Sequence, residues 1–385
     1  MWWLGSAIGR SRAPLWLLPL GVVVAGFCVP ALAADWSLKF GASQSLTLDD
    51  NIDLEEDNRD TALMSSTAFD LDLLALGKTY KIELMPRVSF QKTFFSEEPD
   101  DWSYFPSGTL LLSKWTKRTT YDLVATYARS EASSNELVDG VFTEDEGDQL
   151  SYAVTGTITN RVNHRNTLIW SNALNLVDYT LPSDDLVPSL TATSTGTWRR
   201  EMSELVTGNL TGSVQYYEPD SPTLDSRLLY RATVGATARL SKRLTVTAAA
   251  GGVFLDPEND SLTADVIWNV AADYKLKTTN YTFSAARDLS PSQDGTLDDT
   301  YSARLGVSHQ VNDMLSIALS SSYVLQRDEE GDSSAFIVSP SLNYQLSRDW
   351  TSSLSYRYIE TEDEIEEAYS NAVTLTLSYG TYLIP

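Results

Sequence analysis

The chain has 385 residues, with 28 basic and 52 acidic side chains and a formal net charge of −24 at pH 7. Such an acidic chain is not a general nucleic-acid binder, because that class needs basic surface to release counterions from phosphate. The mean hydropathy of −0.20 argues against a polytopic helical membrane protein, but it is compatible with a membrane β-barrel, whose strands are apolar on one face only.

The N-terminal segment has the order of a secretory signal peptide. Arg10 and Arg12 form a basic region, residues 15–29 form an apolar run, and residues 31–33 read Ala-Leu-Ala, a small-x-small cleavage site. The sequence therefore predicts a leader over residues 1–33 that is removed before the mature chain begins.

Two other interpretations of this segment are weaker. A membrane anchor needs a longer apolar run than this one. A lipoprotein needs a small residue before the modified cysteine, and bulky Phe27 precedes Cys28, the only cysteine of the chain. We therefore expect one domain over residues 34–385, without a disulfide.

Beyond residue 34, apolar and polar residues alternate with period two, and no stretch has the eighteen or so apolar residues of a membrane helix. The alternating runs are about ten residues long, whereas a strand of a soluble sandwich alternates for about five. Ten residues is the length that a tilted strand needs to cross a bilayer. The clearest runs are 36–43, 80–90, 227–240, 266–276, 301–311, 336–346 and 373–379.

The connections between the runs alternate between two classes. The short and often basic class comprises 76–79, 116–119, 160–165, 199–204, 241–243, 275–280, 312–313 and 347–349. The longer and acidic class comprises 49–60, 95–107, 131–149, 179–189, 218–226, 255–263, 288–299, 327–334 and 360–368.

This pattern predicts an all-β fold, a transmembrane antiparallel up-and-down β-barrel of about eighteen strands. Sixteen strands remain an alternative, because 105–115 and 150–176 alternate poorly. Outer-membrane barrels have short periplasmic turns, longer external loops and an even strand count. We therefore expect the bacterial outer membrane, with the acidic connections outside, and segment 131–149 is the longest candidate for a loop that narrows the lumen.

Aromatic residues near the strand ends are typical of the two interfacial girdles of a membrane barrel. The expected girdle residues are Trp36, Trp115, Trp198 and Trp350 beside short turns, and Tyr127, Tyr216, Tyr358 and Tyr369 near long loops.

The acidic loop 49–60 is a weak candidate for a metal site. Asp49, Asn51 and Asp53 match the first three ligand positions of an EF-hand loop, but Leu54 replaces its glycine. One interpretation is a loosely bound divalent cation that bridges to anionic lipopolysaccharide. The alternative is a solvated acidic loop.

Basic side chains face the lumen in the predicted register. Arg227, Arg231 and Arg239 share one strand face and would form a ladder for a carboxylated or phosphorylated solute. Structural ion pairs between neighbouring strands are the alternative. The residues predicted to set selectivity are Arg87, Arg227, Arg231, Arg239, Arg304 and Arg357. Lys39, Lys81, Asp70, Asp72, Glu83, Asp122 and Asp273 are predicted to face the same way.

An enzymatic function is disfavoured. The two histidines, His164 and His309, lack the serine two residues on that outer-membrane phospholipases and deacylases use, and no other pair of nucleophile and base emerges. We predict no enzyme, no resident cofactor and no nucleic-acid partner.

The first hundred residues after the leader resemble the β-barrel porin 2 family. The similarity is carried by FGASQSLTLDDNIDLEEDNRDTALMSSTAFDLDL (residues 40–73), which forms strand, acidic loop and strand, and by the return strand KIELMPRVSFQKTF (residues 81–94). The family consists of outer-membrane barrels often associated with exopolysaccharide gene clusters. The resemblance therefore implies an outer-membrane barrel that conducts a secreted polysaccharide, and it supplies no catalytic residues.

The expected function is passive passage of a hydrophilic solute or polymer, including export of an exopolysaccharide. The alternative is a non-conducting surface receptor or scaffold that acts through its acidic loops. Expected partners are outer-membrane lipid, lipopolysaccharide and the barrel-assembly machinery. That machinery reads a terminal Phe or Trp in many barrels, and Tyr379 and Tyr382 are the candidates here, because the chain ends Tyr-Leu-Ile-Pro.

Overall fold

The computed structural model describes residues 34–52, 54, 60–95, 101–131, 148–180, 187–221, 226–257, 263–291, 297–327, 332–362 and 367–384. The predicted leader, Asp53 and nearly all of segment 131–149 lie outside these residues. In the part of the chain so described, no helix is long and apolar enough to cross a membrane.

The described residues form eighteen β-strands. They are β1 (Asp35–Asp49), β2 (Ala62–Leu76), β3 (Tyr80–Phe95), β4 (Asp101–Trp115), β5 (Thr119–Glu131), β6 (Asp148–Arg161), β7 (Asn166–Tyr179), β8 (Ser189–Glu201), β9 (Val206–Pro219), β10 (Arg227–Arg239), β11 (Leu244–Pro257), β12 (Thr263–Lys275), β13 (Thr279–Pro291), β14 (Leu297–Gln310), β15 (Leu315–Arg327), β16 (Asp332–Gln345), β17 (Trp350–Glu362) and β18 (Glu367–Ile384). The all-β prediction is confirmed, with eighteen strands rather than sixteen.

Each strand pairs antiparallel with its neighbours in sequence, and β18 returns to pair with β1. The closing ladder runs from Leu38 opposite Ile384 to Asp49 opposite Ala372, with one irregularity between Leu38 and Lys39. The sheet is therefore a closed barrel without a free edge strand. Eighteen strands at normal spacing and tilt give a backbone diameter of roughly 35 Å.

The two faces of the wall differ in chemistry. The outer face carries large exposed apolar side chains such as Leu210, Val234 and Leu375, the last two 66% and 51% exposed. The inner face carries hydroxyl pairs that bond across neighbouring strands: Thr157 with Ser171, Thr197 with Thr211 and Thr237 with Thr247, each at 3.1 Å. Alternation along the strand produces this division, because successive side chains point to opposite faces.

Seven of the eight residues expected in the aromatic girdles lie on the outer face. Trp36, Trp198 and Trp350 are exposed there, and the four tyrosines share the parity of exposed apolar neighbours. Trp115 is the exception. It shares its strand face with Ser113, whose hydroxyl donates a hydrogen bond to the lumen-facing Asp122 at 2.6 Å. Trp115 therefore has the parity of the inner face, and its assignment to a girdle was wrong.

The predicted connection 95–107 was too long, because β4 already begins at Asp101. Residues 101–106 pair with β3, whereas pairing of β4 with β5 begins only at Ser107. The poor alternation of 105–115 explains why the beginning of this strand was assigned to a loop, and Pro106, which has no N–H to donate to a ladder, lies within it.

The first prediction tests the division between the two faces. Val234→Arg places a charge on the apolar outer face near the middle of β10 and should lower the free energy of unfolding from a bilayer by about 2–4 kcal/mol. The adjacent Thr233→Arg points into the lumen and should change the stability far less. Equal losses in denaturant titrations of the two variants in lipid vesicles would contradict this assignment of faces.

Candidate functional site: the barrel lumen

The structure places all six predicted selectivity arginines on the inner face of the wall. Each lies at the opposite parity to exposed outer-face residues of its own strand, as Arg304 does beside Leu305 and Arg357 beside Tyr356. Arg227, Arg231 and Arg239 share the inner face of β10.

These three arginines are far apart along strand β10. At the rise of an antiparallel strand, Arg231 lies about 14 Å from Arg227 and about 27 Å from Arg239. Thr233, Gly235 and Thr237 occupy the inner positions between Arg231 and Arg239. The three arginines are therefore separate basic positions and not a continuous ladder, because threonine and glycine residues lie between Arg231 and Arg239.

Arg231 is bound by its neighbours. Its guanidinium donates to Gln215 Oε1 at 2.5 Å and to the carbonyl oxygen of Leu289, and it lies 3.5 Å from the carboxylate of Asp288. Asp288 and Leu289 belong to β13, three strands away in the barrel wall. The end of β13 must therefore reach inward across the lumen to meet β10.

An apolar cluster supports this inward position. Leu229, Val253 and Ile267 lie on the inner faces of β10, β11 and β12, and Leu289 packs against them. The ladder between β12 and β13 stops at Trp268 opposite Arg287, so the two strands separate at this point. The loop end of the β13–β14 hairpin, which we call the inward hairpin (residues 288–291 and 297–299), lies against the lumen wall.

Arg287 ties the inward hairpin to the wall at the point of separation. Its guanidinium contacts Asp265 of β12 at 2.7 Å and Asp299 of β14 at 2.9 Å, and it lies over the ring of Tyr301. One cation therefore joins the wall strand to both arms of the hairpin. A charge-assisted contact of this kind fixes geometry as well as contributing stability.

A second loop turns inward between β1 and β2. The carboxylate of Asp49, fully buried, accepts hydrogen bonds from the backbone N–H of Asn51 at 3.1 Å and from Ser370 Oγ at 2.5 Å, and Arg357 donates to it at 3.2 Å. Leu54 packs against Ile359 on the inner face. The described residues of both connections lie against the inner face of the wall at the same end, the end with the long connections.

Asp49 and Asn51, two of the three residues predicted as a weak metal site, make structural contacts here. The Asp49 oxygens already accept three hydrogen bonds, and Asn51 donates its amide N–H to the carbonyl of Tyr369 at 2.9 Å. Asp53 lies outside the described residues. Leu54, at the EF-hand glycine position, takes φ of 55°, a conformation that costs a side-chain-bearing residue roughly 1–2 kcal/mol. Among the described residues, no group of three or more His, Cys, Asp or Glu could hold a metal ion.

A recess in the lumen wall lies near the other end of the barrel. Gly41 and Gly380 pair across β1 and β18 and form its floor, and the Asp70 carboxylate occupies the space that a Cβ at Gly41 would need. The recess has a volume of about 860 Å³, and Lys39, Asp70 and Arg87 also line an adjoining space of about 400 Å³.

In the part of the chain that the structure describes, the charged side chains around this recess form no salt bridges with one another. Within the described residues, Lys39, Asp70, Asp72 and Arg87 make no ion pair, although Asp70 lies directly opposite Arg87 in the ladder and Lys39 opposite Asp72. The cations of Lys39 and Arg87 therefore remain available to a solute in the lumen, whereas one carboxylate oxygen of Asp72 is buried. The glycine floor was not foreseen from the sequence, since an isolated Gly in a strand has several structural uses.

Sequence reasoning also missed the inward hairpin, although a signal existed. Leu229, Val253 and Ile267 are apolar at positions where the alternation puts the inner face, next to long connections. An apolar side chain at a lumen-facing position is stabilised when another apolar side chain shields it from water, and Leu289 does so here. The histidines form no site: His164 is exposed in a short turn, and His309 bonds Thr279 Oγ1 at 2.8 Å.

Solved structures of similar fold cover nearly the whole chain. OccAB4 of Acinetobacter baumannii has 12% identity and a TM-score of 0.50, covering 92% of this chain and 100% of its own. OccK7 (OpdD) of Pseudomonas aeruginosa has 11% identity and a TM-score of 0.53, covering 91% and 99%. Pseudomonas aeruginosa OpdK, solved with vanillate, has 9% identity and a TM-score of 0.50, covering 90% and 99%.

No family model matches the chain. No curated protein matches it either. The similarity to the β-barrel porin 2 family therefore stays a prediction, and the likeness to the solved structures concerns the fold.

The second prediction tests the Asp49–Arg357 contact. Arg357→Leu removes the cation from a buried carboxylate and should lower the free energy of unfolding by about 1.5–3 kcal/mol. It should also speed hydrogen exchange at the Asn51 amide. The control is Arg304→Leu, since Arg304 lies on the same inner face without an ion pair in the described structure. The assignment is wrong if both variants behave alike.

Proposed function

We propose that the protein is a bacterial outer-membrane channel for passive passage of hydrophilic solutes, and that it is not an enzyme. The observation that carries this proposal is the closed eighteen-stranded wall with an apolar outer face and a hydroxyl-lined inner face. A barrel of this size leaves an aqueous lumen wide enough for solutes. The similar solved structures are outer-membrane porins, which supports the same conclusion.

The solute meets two different regions on its way through the lumen. At the long-loop end, the inward hairpin and the β1–β2 loop narrow the path and set the size limit. Beyond them, Lys39, Arg87 and Arg304 present unpaired cations to the path. We propose that these cations, with the more widely spaced Arg227 and Arg239, favour anionic solutes, since selectivity in pores follows radius and wall charge.

Export of an exopolysaccharide is the second form of the proposal. The hydroxyl-rich wall and the glycine-floored recess favour it, because they offer a polyhydroxylated chain many weak hydrogen-bonding partners. A non-conducting receptor or scaffold remains the competing function, and it is favoured by the two loops that enter the lumen. Outer-membrane lipid, lipopolysaccharide and the barrel-assembly machinery are the proposed partners, and a loose divalent cation at the acidic loops is the proposed bridge to lipopolysaccharide.

Solute flux into proteoliposomes tests the channel function. Vesicles containing the folded barrel should swell in iso-osmotic solutions of small sugars, at rates that fall with solute size. Vesicles with heat-denatured protein are the control. If vesicles with confirmed folded barrel swell no faster than empty ones, the receptor or scaffold function replaces the channel.

The third prediction concerns ion preference. Arg87→Glu and Arg304→Glu reverse unpaired charges in the lumen and should shift the reversal potential under a salt gradient toward cation selectivity. Arg231→Glu is less informative, because it also breaks the contacts that hold the inward hairpin. The outer-face substitution Leu305→Ala is the control, and reversal potentials that do not differ from it would remove Arg87 and Arg304 from the selectivity mechanism.

The fourth prediction concerns the constriction. Leu289→Asp places a charge in the apolar contact with Leu229, Val253 and Ile267 and should release the inward hairpin from the wall. Single-channel conductance should then rise, with a larger solute cutoff in swelling assays. Leu319→Asp, on the outer face of β15, controls for loss of stability, and an unchanged conductance in Leu289→Asp would place the size limit elsewhere.

A further inference from the structure

We infer that the turn end of the barrel is a docking surface for a soluble polyanion, a carboxylated or phosphorylated polymer that enters the lumen from this side. The inference rests on the proposed channel function and names the substrate class for it. The surface, which we call the basic collar, comprises Lys78, Lys117, Arg118, Arg161, Arg165, Arg199, Arg200, Arg239, Lys242, Arg243, Lys275, Lys277 and Arg348.

The collar is built by the short turns themselves. Seven of the eight turns, all except β14–β15, carry at least one of these side chains in the turn or on the last strand residues beside it. All thirteen side chains are exposed, and within the described residues none of them makes an ion pair. The acids in the turns and in the three strand residues beside them are six: Asp35, Glu201, Glu204, Asp273, Asp313 and Asp349. Lys81 and Lys114 also lie at this end but are not counted in the collar, and Lys81 pairs with Glu83 at 2.6 Å.

Most cations at the opposite end of the barrel have an acidic partner in contact. Five arginines toward the long loops each contact an aspartate within 3.5 Å: Arg129, Arg231, Arg287, Arg327 and Arg357. Arg227, at the start of β10, makes no ion pair within the described residues. The long connections themselves are acidic in sequence. Most cations are therefore paired with aspartates at this end, whereas the collar cations are not, and this difference gives the barrel an electrical polarity along its axis.

The collar continues into the lumen. Arg348, a collar residue, lines the wall recess together with Lys39 and Arg87. A polymer held at the collar therefore meets further unpaired cations as it enters. The carboxylates of Asp70 and Asp349 also line the recess, so the path attracts anions although it is not purely basic.

The spacing of the collar favours a polymer over a small anion. The turns are distributed around a ring of roughly 35 Å diameter, so a small anion contacts only one or two of them. A polyanion contacts several at once and releases counterions from each, which makes binding steep in salt concentration. Eight of the thirteen side chains lie in the turns, beyond the strands that carry the apolar outer face. Of the five in strand ends, only Arg200 has the outer-face parity of Trp198, and this placement favours a soluble ligand over lipid headgroups.

The fifth prediction uses oligogalacturonate of about ten units as the probe, with uncharged dextran of similar length as the control. Channels of the chain from residue 34 onward are inserted into planar bilayers, and orientation is assigned with Ser241→Cys, which is then the single cysteine and is labelled from one chamber. Oligogalacturonate added on the turn side should block the current at least tenfold more often than on the loop side, while dextran should show no such preference.

The matched variants reverse or keep the collar charge. Lys78→Glu, Lys117→Glu, Lys242→Glu and Lys277→Glu together should reduce the frequency of block by tenfold or more at low salt. The corresponding four Lys→Arg substitutions should leave it unchanged. Binding of fluorescent oligogalacturonate to the folded barrel in uncharged detergent provides a readout that does not depend on conduction, and it should weaken steeply as salt rises.

The outcomes separate the inference from the proposed function. Absence of ion current from folded barrels would overturn the channel function, and the polyanion entry route with it, whereas current without side-dependent block would overturn only the collar inference. Block unchanged in the Glu variant would do the same. Association of the barrel with anionic phospholipid vesicles through the collar, with no binding of oligogalacturonate, would identify lipid headgroups as the ligand and contradict the inference.

Discussion

Closure of the sheet is the constraint on which the rest of the structure depends. Backbone N–H and C=O groups in an apolar medium have no water to bond, so a spanning sheet must pair every strand on both sides. The pairing of β18 with β1 meets this requirement. Once the ring is closed, alternation along each strand fixes which residues face outward and which face the lumen, and the wall becomes the rigid frame for everything inside it.

Within that frame, the two ends of the barrel have opposite designs. At the long-loop end, most arginines form ion pairs that hold chain segments in place: Arg287 ties β12 to the inward hairpin, and Arg357 anchors Asp49. At the turn end, cations remain unpaired and exposed. The net charge of −24 therefore hides an asymmetry along the axis, and the proposed selectivity depends on this asymmetry more than on the total.

The sequence predicts the strands and their faces well, because both follow from local alternation. Arg304 and Arg357 could be assigned to the inner face by parity alone. The sequence predicts contacts between distant elements poorly. The bond from Arg231 to Leu289 joins residues 58 positions apart, and no period reveals it. Apolar Leu229 on a lumen position is the one local hint, because it needs a covering group. The start of β4 was assigned to a loop because 105–115 alternates poorly, so no local period marks where the strand begins.

The proposed channel needs a continuous aqueous path that the inward hairpin narrows but does not close. Single-channel recording of the unmodified, folded barrel in a planar bilayer measures this property. We expect discrete current steps of uniform size that scale with salt concentration. Repeated insertion of folded barrel without any current step would show that the lumen is closed and that the protein is not a channel.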